Sequence, residues 1–209
     1  GWIFIDKPKG ITSFDVIRKV RAFTKIKKIG HSGTLDPFAT GVLALAFGEA
    51  TKSIQFLSSI KEYDFEITFG EKRDTDDVTG NVIESNDVYP SLNSINNCIK
   101  TFIGTIDQVP PHYSAVKVEG QRAYKLARKG KTFELGSKKV EIFKFQCLTK
   151  TADNTYSLRV KCSSGTYIRS LARDIAEKLG CFAYVSSLRR TGIGKINEKN
   201  LISLDKFEE

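Results

Sequence analysis

Between residues 61 and 70 the chain alternates, with Tyr63, Phe65, Ile67 and Phe69 apolar and Asp64, Glu66 and Thr68 polar. A period of two sends successive side chains to opposite faces, which predicts a half-buried strand with Tyr63 on its inward face. Residues 140–148 and 156–162 alternate in the same way, and residues 151–155 between them read as the turn of a strand pair. Residues 2–5 and 42–47 are unbroken apolar runs, short enough for buried strands. Helical spacing follows Thr12-Ser13, either of which can cap a helix, in Phe14, Ile17, Val20 and Ala22 or Phe23. A short helix is predicted over residues 49–58. A capped helix is predicted over 91–103, with Leu92, Ile95, Ile99 and Phe102 inward and Gly104 at its end. A further helix carries Ile168, Leu171, Ala172, Ile175 and Leu179 inward and stops at Gly180, and a last helix is expected near the end of the sequence.

Composition narrows the class. At 209 residues with 40% hydrophobic content, the chain suits one large domain or two small ones with a sizeable core. The formal charge of +9 attracts polyanions, although 24 acids interspersed among 33 bases also fit an ordinary solvated surface. Cys98, Cys147, Cys162 and Cys181 lie far apart without C-x-x-C spacing, so neither structural zinc nor a disulfide framework is expected. No apolar run approaches the ~20 residues that span a bilayer. The first residues lack the basic start and cleavage site of a signal peptide. A cytoplasmic protein with reduced thiols is the expectation.

Candidate chemistry concentrates in residues 30–42, where three glycines, two threonines, His31 and Asp36 sit between apolar runs. Glycines permit positive φ or close approach, and Pro37 pushes Asp36 out of the helical region, so a rigid, exposed loop presenting one acid is predicted. Asp-Pro is also a common turn initiator, and spacing alone favours that reading. Arg18, Lys19, Arg21 and Lys25 with Lys27-Lys28 lead into this loop and suit a phosphate-attracting rim. Residues 73–80 are rich in acids but lack the glutamate and spacing of a calcium loop, and read as a polar turn. Arg169 falls off its helix's apolar stripe, near an N-terminus that disfavours a cation, so something must compensate it. Basic residues of the 117–139 segment interleave with Tyr113, Tyr124 and Phe133, a pattern that suits a grip on folded RNA through phosphates and stacking.

Residues 30–43, GHSGTLDPFATGVL, resemble the signature G-H-x-G-T-L-D-P-x-A-T-G-V-L of the TruB family of tRNA pseudouridine synthases at every fixed position. Further stretches resemble that family's motifs. They include DKPKGITS with Lys7, Lys61-Glu62-Tyr63, Asp77 with Gly80, the proline pair at 110–111 with Lys117, Arg122 with Arg128, CSSGTYIR with Tyr167 and Arg169, and Leu188-Arg189-Arg190. Arg73 stands where a threonine is more usual.

The resemblance covers essentially the whole sequence. It implies an α+β pseudouridine synthase fold, a largely antiparallel mixed sheet flanked by helices, over residues 1–209. A thumb-like basic insertion is expected at about 110–140, and the RNA-binding domain called PUA is not expected within residues 1–209. It implies isomerisation of uridine 55 in the T loop of tRNA, with Asp36 as catalytic carboxylate, Arg169 paired with it, and Tyr63 stacking on the base and taking part in proton transfer. His31 would fill the space left by the flipped base and Leu188 would wall the base pocket. Lys7, Asp77, Lys117, Arg122, Arg128, Tyr167 and Arg189 are candidates for RNA binding, Arg189 together with Arg190 as a pair. Isomerisation involves no net redox change or hydrolysis, so neither cofactor nor metal is expected, and the expected partner is the tRNA T arm, bound by a monomer with no membrane contact. An aspartate, with a reference pKa of about 3.9, is ionised near neutrality and can act as a nucleophile. The competing readings are a T-arm binding or folding module, and a hydrolase with paired acids, which lacks a readable second carboxylate.

Overall fold

The computed structural model describes residues 1–118 and 120–207, and the chain forms two compact units. One comprises residues 1–64 and 187–209 and the other residues 65–186. Glu119, within the basic segment, lies outside the described residues.

The first unit opens with β1 (Trp2–Lys7), α1 (Ser13–Thr24), β2 (Ile29–Ser32) and β3 (Thr40–Phe47), followed by a 3-10 helix over Gly48–Phe56 where a short helix was predicted. The chain then runs along β4 (Ile60–Phe69) into the second unit. There it forms β5 (Glu71–Arg73), β6 (Val82–Ser85), α2 (Leu92–Lys100), β7 (Gly104–Gln108), β8 (Lys117–Val118), β9 (Gln121–Arg122) and α3 (Ala123–Arg128). After these come β10 (Lys138–Ala152), β11 (Thr155–Ser163) and α4 (Ile168–Lys178). It returns along β12 (Ala183–Ile193) to β13 (Ile196–Asn197) and β14 (Ile202–Ser203). The predicted last helix is instead two short 3-10 turns, at Glu198–Asn200 and Leu204–Phe207.

In the first unit the strand order is β14-β1-β3-β12, with β1 and β14 parallel, β1 and β3 antiparallel, and β12 parallel to the start of β3. β3 is an unbroken apolar run because both its faces are covered. Leu43 and Leu45 join Ile5 and the α1 residues Val16, Ile17 and Val20, while Val42 and Ala44 pack with Ile193. α1 starts where predicted. The Thr12 hydroxyl accepts from the Asp15 amide and the Asp15 carboxylate accepts from the Thr12 amide, a complete capping box. Ile17 and Val20 are buried as the spacing suggested, with Val16 beside them, but at the ends Phe14 is 60% exposed and Phe23 is 45% exposed, Phe23 meeting Phe207 edge-on.

In the second unit β12, β4, β11, β10 and β7 lie side by side, and Thr68 stitches three of them by donating to Ser186 and bonding Thr155. β4 alternates as predicted, with Phe65, Ile67 and Phe69 inward. The β10–β11 hairpin is longer than its sequence pattern and carries three register shifts, which interrupt strict alternation toward its tip. α2 buries Ile95, Cys98 and Ile99 and leaves Leu92 exposed, correcting the predicted inward stripe.

Across the β3–β12 pair, Gly41 faces Arg190 with φ at +97°, and a Cβ there would collide with the Arg190 carbonyl oxygen. Gly41→Ala should therefore cost more than about 2 kcal/mol, from left-handed strain together with overpacking. An unchanged denaturation midpoint would show that the strands can separate freely at this point.

Candidate active site

The loop between β2 and β3 carries Asp36, and every side of it is tied down. Ser13 Oγ accepts from the Leu35 amide at 2.9 Å and lies 3.2 Å from the Leu35 carbonyl. The Gly10 amide donates to the Pro37 carbonyl at 2.7 Å, and the Ala39 amide to the Asp36 carbonyl at 3.0 Å. Gly33, Thr34 and Pro37 are exposed, as predicted for this loop, Asp36 is half-buried, and Leu35, Phe38 and Ala39 anchor the loop in the core.

Two buried cations hold the same loop. Lys7, at the end of β1, donates to the carbonyls of Pro8 at 2.9 Å, Ile11 at 2.6 Å and Pro37 at 3.3 Å. Burial pushes its ammonium down to about 8, Asp36 opposes that shift, and Arg190 reinforces it. Arg190 is 1% exposed and donates to Val42 O at 2.7 Å and Gly33 O at 2.9 Å. This overturns its expected role in an RNA-contacting pair, because a guanidinium enclosed by its own chain cannot reach a phosphate. Its neighbour Arg189 grips Asp6 with bonds of 2.9 and 3.0 Å and Glu198 with one of 2.5 Å. These hydrogen bonds, the Asp6 pair first, push the Arg189 pKa up.

His31 sits on β2. Its Nδ1 is buried with no hydrogen-bond partner among the described residues, and burial, then Arg190, lowers its pKa below the usual histidine value. Both effects favour the neutral imidazole over the charged one. Tyr63 lies on the inward side of β4 and is buried, as are Leu188 on β12 and Lys61, whose Nζ donates to Ser58 O at 2.8 Å. Lys61 falls on the same parity as Tyr63, and that register was the available sign that this lysine points inward.

In the second unit Arg169 opens α4 and is 4% exposed. It donates to Thr75 O at 3.0 Å and Tyr113 O at 3.1 Å, and its Nε lies 3.7 Å from the Asp77 carboxylate. The compensation demanded by its place near a helix N-terminus thus includes carbonyls and a buried carboxylate. Asp77 also accepts from the Thr75 hydroxyl and from the Thr79 amide and hydroxyl. The 73–80 segment is a polar turn, as predicted, and two of its acids, Asp76 and Asp77, are buried. Arg73 closes its base by donating to the Val78 and Gly80 carbonyls, with its guanidinium over the Tyr184 ring. The α4 end has no side-chain cap of its own. Gln108 substitutes, accepting from the Tyr167 amide at 2.8 Å and donating to the Tyr167 carbonyl at 3.1 Å.

The basic segment forms the small β8–β9 hairpin and α3. Lys117, Arg122 and Arg128 are exposed, Arg122 donating to Ala115 O and Arg128 lying over the Tyr124 ring at 5.5 Å. Among the described residues no group of three or more His, Cys, Asp or Glu side chains is arranged to hold a metal ion, and no helix is long and apolar enough to cross a membrane.

A family profile described as TruB family pseudouridylate synthase (N terminal domain) matches residues 21–168, and one described as tRNA pseudouridylate synthase B C-terminal domain matches residues 169–209. The chain is 45% identical over 210 residues to tRNA pseudouridine synthase B of Ehrlichia ruminantium, an alignment covering all of this chain and 71% of that protein. It is 44% identical to the protein of the same name from Roseobacter denitrificans, covering all of this chain and 69% of that protein. Among solved structures it is similar to a chain of a Cbf5-Nop10-Gar1 complex, with 32% identity and a TM-score of 0.76 over 98% of this chain and 52% of that one. A chain of an H/ACA RNP bound to a substrate RNA containing 2'-deoxyuridine gives 28% identity and a TM-score of 0.73, covering 98% and 51%. The present chain spans about half the length of those two solved chains. The fold, α+β with a mostly antiparallel sheet flanked by helices, is that of the pseudouridine synthases, which are isomerases. Within that class, the chain belongs to the TruB family.

Arg190→Lys keeps the charge but cannot span both Val42 and Gly33 carbonyls, so it should lose one charge-assisted hydrogen bond, about 1.5–3 kcal/mol of stability. Chemical denaturation checks this, and a variant as stable as the parent would mean that the loop is held without the guanidinium.

Proposed function

We propose that this protein isomerises uridine to pseudouridine in tRNA, at uridine 55 of the T loop, with Asp36 as the nucleophile. The observation that carries the reading is the presentation of Asp36: the residues on both sides of it are hydrogen-bonded to α1 and the β1–α1 turn, inside a sequence that matches the TruB signature throughout. A carboxylate fixed in this way loses little freedom on reaching an attacking geometry. The position in tRNA rests on family resemblance, as do the roles of individual residues.

Isomerisation breaks the bond between C1′ and N1, turns the uracil, and joins C1′ to C5, with one proton leaving C5 and one gained at N1. The balance needs no oxidant, reductant or water. The target base first leaves its stack at a cost of a few kcal/mol, and the neutral face of His31 suits the vacated space. Tyr63, on the inward face of its strand, is the residue proposed to stack on the extruded base and assist proton transfer, with Leu188 as an apolar wall. The resemblance carries the family's arginine role onto Arg169. Exposed Lys117, Arg122 and Arg128 suit phosphate contacts with the T arm.

Asp36→Asn should abolish pseudouridine formation in unmodified tRNA while leaving affinity nearly unchanged, since an amide keeps the shape and is a poor nucleophile. Turnover retained by this variant would sink the mechanism, and loss of binding instead would make Asp36 a structural loop residue. Arg169→Lys should lose most of the activity, because lysine cannot serve two carbonyls and a carboxylate from one planar group. Near-normal single-turnover rates in that variant would remove Arg169 from the mechanism.

A further inference from the structure

Arg169 has a companion one helical turn further on. Arg173 lies four residues along α4, so both guanidiniums project from one face of the helix. Arg169 reaches the 73–80 segment through Thr75 O and Asp77, and the start of the basic segment through Tyr113 O. Arg173 reaches the same two pieces of chain at different points. Its NH1 lies 3.4 Å from the Asp76 carboxylate, and its NH2 donates to Val109 O at 2.8 Å, a carbonyl that also accepts from Ser170 Oγ at 2.8 Å. Asp174 accepts from Arg173 Nε and NH2 at 3.0 and 2.9 Å, fixing the plane of the guanidinium.

Asp76 holds an unusual position for such a partner. It is a non-glycine residue with φ at +59°, its carboxylate is buried, and its backbone carbonyl accepts from the Val185 amide of β12 at 3.1 Å. Left-handed backbone at a buried acid is a local cost that the surrounding structure must hold in place. Uncharged residues could link a turn to a helix more cheaply, since burying an ion pair gains little stability over apolar packing. The arrangement therefore points to geometry rather than stability as what the pair supplies.

We propose that Asp76 and Arg173 are a positioning pair for uridine isomerisation, clamping the 73–80 turn and the Val109 root of the basic segment onto α4 so that Arg169 keeps its set of partners. The proposal rests on the functional reading above. Neither residue touches the reacting atoms in this scheme; both act through Arg169.

The pair carries a proton switch. Burial raises the Asp76 pKa to about 6, against the attraction of Arg173 and Arg169 and with smaller upward pushes from Asp174 and Asp77. Because this folded value lies above the ordinary carboxylate value of 3.8, the folded chain takes up the proton before the unfolded one. The group's contribution to stability consequently falls as pH rises from about 4 to about 6 and remains low above that. The ion pair exists only on the high side. Clamp and stability thus move in opposite directions, so a reaction rate that follows the clamp separates a positioning role from a structural one.

The test is a pair of profiles from about pH 5.5 to about pH 8 on wild type and Asp76→Asn: single-turnover pseudouridine formation on a tRNA transcript, and the thermal unfolding midpoint. Wild type should slow as pH falls through about 6 while its midpoint holds or rises. Asp76→Asn should bind tRNA like wild type and unfold at or above the wild-type temperature at neutral pH. It should also react about ten- to a hundredfold more slowly, with no acid limb. Arg173→Lys, which keeps the charge and loses the fork onto Val109, should be slowed while retaining the acid limb. A wild-type rate in the Asp76→Asn variant, an acid limb that survives the substitution, or a variant that unfolds below wild type would each overturn the positioning role. A wild-type protein that forms no pseudouridine at any pH would instead overturn the functional reading, and this proposal with it.

Discussion

At Gly41 and Arg190 two strands run in parallel so closely that one of them has no room for a side chain, and the arginine of the other turns inward beneath the loop that follows β2. β3 shares one edge between two partners: its first residues pair with β12 and its last four with β2. The chain must leave β2 at Ser32 and re-enter β3 at Thr40, and the seven residues between have their ends fixed by pairing. Arg190 bonds a carbonyl on each side of that excursion, at Gly33 and at Val42. Lys7 and Ser13 bond the middle of it. The place of Asp36 is thus a consequence of sheet pairing, with the side chains closing the remaining freedom.

Both units bury charge around the candidate site residues. Lys7, Lys61 and Arg190 are enclosed in one, and Asp76, Asp77 and Arg169 in the other. An ion in a protein interior costs several kcal/mol unless it is hydrogen-bonded, so each must be matched by acceptors. The partners are largely main-chain carbonyls: three for Lys7, two for Arg190, two for Arg169. Carbonyls belong to the fold and cannot rotate away, so a cation satisfied by them is fixed as firmly as the backbone itself. The same cations set the electrostatics of their surroundings. Arg190 adds to burial in lowering the pKa values of Lys7 and His31, and Arg173 and Arg169 oppose the upward push of burial on Asp76.

The elements themselves were legible in the sequence wherever one face is buried and the other wet. β4 alternates residue by residue, α1 announces its start with a capping threonine, and β3 reads as a central strand because both its faces are apolar. The long loop signature gave the family. These features depend on local spacing and local conformational preference, which composition along the chain records directly. What failed was the inward or outward assignment of Phe14, Phe23 and Leu92, since an apolar side chain at the margin of a helical stripe is buried only if a partner element covers that margin.

The fates of the charged residues were decided by tertiary structure alone. Arg189 and Arg190 are adjacent and chemically identical, yet one is a partly exposed partner of Asp6 and Glu198 and the other a buried brace, because successive residues of a strand face opposite ways. Residues 73–80 read as a polar turn, and Asp76 and Asp77 within it are buried where α4 brings Arg169 and Arg173 against them from nearly a hundred residues away. No local pattern encodes that meeting. Sequence fixes which groups can carry charge and which backbone can bend, but desolvation and pairing depend on what lies within a few ångströms, and that distance is set only when the chain has folded.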